Sequence, residues 1–154
     1  MLSILALAIA ACGSNADDKK LNHTVPGAEK TAATDANPAY DPKRGEGKFT
    51  NVDIAAALDA GKAEAGNKIY TLKCSACHKT SEEKLVGPGW KGVTSRHTPE
   101  WIMNFATNPD VMIDKDPKVQ AMLELCLVRM PNQNLTDDDA RNIYEFMRKN
   151  DGVK

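Results

Sequence analysis

Large side chains are scarce in this sequence: three Phe, two Trp and three Tyr make up 5% of 154 residues. No apolar run in the sequence reaches the eighteen or so residues of a membrane-spanning helix. Alternating β-branched stretches are also missing, which excludes a sheet protein. A formal net charge of −1 leaves no basic footprint, so nucleic acid is not an expected partner. Cysteine is limited to four residues, and only Cys74 and Cys77 share a ligand-like spacing. Structural zinc wants two such pairs, so a zinc site is disfavoured.

What is present begins with an uncharged stretch, MLSILALAIAA, that runs into Cys12. It reads as the apolar part of an export signal. Ile9-Ala10-Ala11-Cys12 resembles a bacterial lipobox, with residues 1–11 removed and Cys12 lipidated as the first mature residue. Cleavage by an ordinary signal peptidase after Ala10 is the alternative. No Lys or Arg precedes the apolar run, so Met1 need not be the true start. A lipidated Cys12 would hold the protein on a membrane surface from the exported, periplasmic side.

Residues 12–51 are rich in Ala, Asn, Asp, Lys, Gly, Pro and Thr and lack apolar periodicity, which predicts a flexible linker. Some forty such residues span on the order of 35 Å on average. His23 reads as a solvated residue of this tail, and the segment from Tyr40 to Val52 carries two aromatics that could pack on the adjoining domain.

Residues 52–154 predict one all-α domain. Strong helix formers run from about Leu58 to Leu72, with Ala65, Ile69 and Leu72 on one face. Thr98-Pro99-Glu100 opens a second helix that Asn108-Pro109 stops, leaving NPDVMIDKDP as a loop. Asp116-Pro117 opens a third, expected to end near Met130-Pro131. Thr136 and three aspartates open the last, with cations at its end.

The chemistry lies in KCSACHK, residues 73–79. A redox dithiol would need a strand before the motif, and a helix stands there instead. Cys-x-x-Cys-His is the c-type haem attachment signature: two thiols add across two vinyl groups, and the adjacent His78 can bind the iron. A large apolar cofactor would also complete a core of about a hundred residues that burial alone leaves marginal. Gly87-Pro88 comes nine residues behind His78, and Met130-Pro131 stands ahead of the last helix.

In this order of motifs the chain resembles the class I cytochrome c family over roughly residues 55–150. The resemblance implies a helical fold around one covalent haem c, with Cys74 and Cys77 as thioether anchors and His78 as proximal ligand. It implies that the Pro88 carbonyl accepts a hydrogen bond from His78, and that Arg96 meets a haem propionate, although Ser95 stands where the family often has Gly. It further implies that Gly66 and Tyr70 cross the terminal helix at Ile143 and Phe146. Met130 is the expected sixth ligand because a non-helical approach to a capped helix can aim its thioether. Met112 and His97 are the alternatives, His97 being otherwise a surface or propionate-side residue. Met103, Met122 and Met147 read as core filler, and Cys126 as a buried small hydrophobe.

His/Met ligation leaves no vacant site, so the expected function is one-electron transfer, not enzymatic catalysis. The expected partners are redox proteins: a quinol-oxidising complex on one side, and a terminal oxidase or nitrogen-oxide reductase on the other. A subunit of a larger oxidoreductase and a haem protein with an open sixth site are the alternatives. From Lys62 to Arg96 seven basic residues face three acidic ones, and from Asp110 to Glu145 four face eight. Such asymmetry could steer the cysteine-bearing side toward an acidic partner.

Overall fold

Helix starts in this protein are written in its capping residues. The computed structural model describes residues 40–154, and the expected signal segment, Cys12, His23 and the linker as far as residue 39 lie outside them. Among the described residues the elements are α1 (Ala60–Ile69), α2 (Val93–Arg96), α3 (Pro99–Thr107), α4 (Pro109–Lys115), α5 (Pro117–Cys126) and α6 (Asp137–Asn150). They contain no strand, only an isolated bridge between His78 and Lys84. The all-α expectation holds.

Asp59, Thr98, Asp116 and Thr136 each accept a backbone N–H of the helix they open. At α6 the bond is reciprocated by Asp139, giving a capping box, and the three aspartates of the first turn complement the helix dipole. Two boundaries differ from the sequence reading. Pro109 ends α3 but also starts α4, because proline at the first helical position loses no needed hydrogen bond. The supposed loop NPDVMIDKDP is therefore helical through Lys115. Then α5 stops at Cys126, four residues early, where Leu127 turns into the left-handed region at φ 60°.

The frame of the domain is the crossing of α1 and α6. A Cβ on Gly66 would sit 2.1 Å from the Asn142 carbonyl oxygen, so only glycine permits this approach. Tyr70 fills the adjoining groove, its ring 5.1 Å from that of Phe146, while Ile143 is buried beneath. This is the pairing the family resemblance implied. Past Ile69 the helix widens into a π-turn, Tyr70–Cys74, which carries the chain into the cysteine motif.

Residues 40–57 run over the helices as a strap. Buried Asn104 accepts the Phe49 N–H at 2.9 Å and donates to the carbonyls of Arg44 and Phe49. Val52 N–H donates to Glu100, and Tyr40 donates to buried Asp116. Arg148 holds the strap's end, donating to the carbonyls of Ala55 and Ala56 while paired with buried Glu145. Residues 40–51, placed in the linker by composition, thus make specific contacts with the helical domain.

Candidate functional site

His78 is locked by neighbours from a short stretch of chain. Its Nδ1 lies 2.9 Å from the Pro88 carbonyl oxygen, which makes Nδ1–H the donor and leaves Nε2 with a free lone pair. Burial holds the imidazole below its usual pKa, against the opposing pull of that carbonyl, so the ring is neutral and able to ligate a metal. Tyr70 donates its hydroxyl to the His78 carbonyl at 2.8 Å, and Trp90 lies 5.4 Å away ring to ring. The Gly87 N–H donates to the Cys77 carbonyl at 2.9 Å. A side chain at Gly87 would displace the imidazole, since a Cβ there would lie 2.4 Å from its Cε1.

Two hollows open to solvent meet at this histidine. Both are lined by His78, Pro88, Phe105, Met122 and Met130. Cys77 stands on the wall of the first and Cys74 on the wall of the second. Burial pushes the free Cys74 thiol up to about 11, with Lys73 pulling the other way.

The expected residues are thereby brought together. Cys74, Cys77, His78, Pro88 and Met130 all line the hollows, and Arg96 borders the second. The Arg96 guanidinium itself donates to the Lys91 carbonyl at 2.7 Å. Met112, the alternative ligand, lies elsewhere: it is fully buried, lines neither hollow, and its Sδ accepts the Glu46 N–H at 3.1 Å. Cys126 is half-buried on the wall of the first hollow and not a core residue.

One wall residue escaped sequence reading, and His97, the other alternative ligand, also stands at the wall. Met122 faces both hollows although its helical spacing suggested filler. His97 stacks on Trp101 at 3.8 Å beside the second hollow, with its Nδ1 buried and unpartnered. Burial, with Lys118 and Arg96 nearby, pushes it down to about 4 despite the Asp116 carboxylate. A buried polar nitrogen without a partner, two thiols, a neutral imidazole and a thioether around an apolar space suit a flat iron porphyrin with polar edges.

Comparison with known proteins agrees. The cytochrome c family model matches residues 63–151. Cytochrome c from Rhodothermus marinus is 30% identical with a TM-score of 0.66, covering 68% of this chain and 90% of that one. An engineered form of the Rhodothermus marinus protein gives the same identity and coverage at 0.65, and an engineered form bound to a carbene intermediate gives 0.62. Curated proteins offer no significant match. The chain belongs to the cytochrome c family, as a c-type cytochrome with one covalently attached haem c that serves electron transfer with redox protein partners.

Proposed function

We infer that this protein is a class I, monohaem carrier with His78 and Met130 as axial ligands, tethered to a membrane by lipidated Cys12 on the periplasmic side. It would pass single electrons from a quinol-oxidising complex to a terminal oxidase or nitrogen-oxide reductase. The observation that carries the ligand assignment is the wall shared by both hollows, where a Pro88-bonded, neutral His78 and the Met130 thioether occur together.

When bound, haem supplies an iron that accepts and releases one electron at a time. The protein's part is to hold that iron still. Cys74 and Cys77 anchor the macrocycle through thioethers. The Pro88 carbonyl fixes the orientation of His78 and strengthens its free nitrogen as a donor. Met130 offers a soft, weak donor that favours the ferrous state and so raises the potential. Apolar walls keep water out, which limits rearrangement between oxidation states. Arg96 borders the propionate side in this reading. The excess of cations between Lys62 and Arg96 orients the haem-bearing side toward an acidic partner.

Prompt carbon monoxide binding by the reduced protein would contradict this reading, because a filled sixth position excludes the gas until Met130 leaves. The docking element has its own check: electron-transfer rates should fall as ionic strength rises. A second reading, a haem protein with a displaceable sixth position, draws on one feature, the exposed segment that carries Met130. No residue from Leu127 to Thr136 is buried.

A further inference from the structure

That exposed segment has few holds on the rest of the molecule. It leaves α5 at Leu127, whose φ of 60° is costly for a bulky side chain, and ends near Asn134 at φ 50°. Leu127 is 83% exposed, so packing does not account for its conformation. Between these two left-handed residues lies Met130. Two cations reach across from elsewhere to the flanks of the segment, and a third, within it, reaches out to α4. Lys73, in the π-turn before the cysteine motif, donates to the Gln133 carbonyl at 2.9 Å. Lys84 donates to the Leu125 carbonyl at 2.8 Å on the other flank.

The third contact is next to the ligand itself. Arg129 places Nη2 3.1 Å from Asp114 Oδ1 and 3.5 Å from Asp110 Oδ1. These two carboxylates are four residues apart on α4, so they present one face to the guanidinium. Arg129 also lines the first hollow beside Met130.

We propose that Arg129 is a positioning residue: its clasp on Asp110 and Asp114 sets how firmly Met130 is held in the cavity, and ionic strength loosens it. The proposal rests on Met130 being the sixth ligand. All three clasp side chains are at least half exposed, and pairs of this kind are weak and screened by salt. The clasp is therefore a trim on the Met130 position and not a lock. Lys73 and Lys84 bond to backbone carbonyls, so removing Arg129 leaves the flanks of the segment attached. The exchange involved is simple: the bond between Met130 sulfur and iron breaks and a bond to the incoming nitrogen forms, with no electron or proton transferred.

The test uses the oxidised, full-length holoprotein and imidazole as probe, at about pH 8.5, where imidazole is uncharged and salt acts on the protein alone. Exchange rates of imidazole for Met130 should rise about twofold to fivefold in Arg129→Gln and in an Asp110→Asn/Asp114→Asn double variant. Added sodium chloride should raise the wild-type rate and leave Arg129→Gln unchanged. Arg129→Lys should restore part of the wild-type rate. An unchanged rate in Arg129→Gln, or a rise matched by an equal loss of global stability to urea, would overturn the clasp. The far-red sulfur-to-iron band of the wild type separates the two failures. With the band present, a null result rejects Arg129 alone, and with the band absent the Met130 assignment itself is rejected.

Discussion

The two sides of the cavity are built in opposite ways. On one side His78 is held by Pro88, Gly87, Tyr70 and Trp90, all within twelve residues of it in the chain, with Trp90 buried, Gly87 and Tyr70 half-buried and Pro88 exposed. On the other, Met130 sits in a segment with no buried residue, pinned by exposed cations that reach 15 to 60 residues away. A side chain wedged by close-packed neighbours from its own stretch of chain should respond little to salt. A ligand fixed by long-range, exposed contacts responds to salt and substitution. The cavity thus has one side held by local packing and one held by exposed, long-range contacts.

The sharpest way to break this comparison is to disturb the locally packed side. In Gly87→Val the new side chain must push the imidazole off the Pro88 carbonyl. Overpacking of this kind costs about 3 kcal/mol, and urea unfolding of the holoprotein should register it together with a raised reduction potential, because His78 without the Pro88 bond is a weaker donor. A null effect would mean that the ring is not confined there.

A smaller effect is expected on acidification. The pKa of His97 is pushed down to about 4, below the ordinary histidine range, so the unfolded chain binds the extra proton before the folded one does. The stability tied to neutral His97 is full above about pH 6.5 and declines as pH falls toward 4. The loss should be on the order of 2 kcal/mol, and His97→Phe should flatten that part of the stability–pH profile. An unchanged profile would show that the nitrogen is paired in the holoprotein.

The smallest expected change is on the exposed side. Leu127→Asn relieves the left-handed strain without removing buried surface, and should raise stability by up to about 1 kcal/mol. A fall in the urea midpoint would show that Leu127 packs against something in the holoprotein.

The same contrast governs what could be read from the sequence. The Cys-x-x-Cys-His motif, the Gly-Pro turn and the helix starts at Thr98, Asp116 and Thr136 are local arrangements, so the residues that act are close together in the chain. The stop of α5 was hidden because Leu127 is not a residue that announces a left-handed turn. The start of α4 was hidden because Pro109 is both terminator and first residue. The path of residues 40–57 depends on Asn104, Asp116 and Arg148, whose distance along the chain leaves no spacing to recognise. Met122 faces the cavity through tertiary packing, which periodicity alone does not encode.

The pairing of His78 with Met130 is tested most directly by the oxidised spectrum of the purified holoprotein beside that of Met130→Ala. The account predicts a far-red sulfur-to-iron charge-transfer band in the wild type that vanishes in the variant while the haem stays covalently bound. A wild type without that band, or a variant that keeps it, would contradict the assignment.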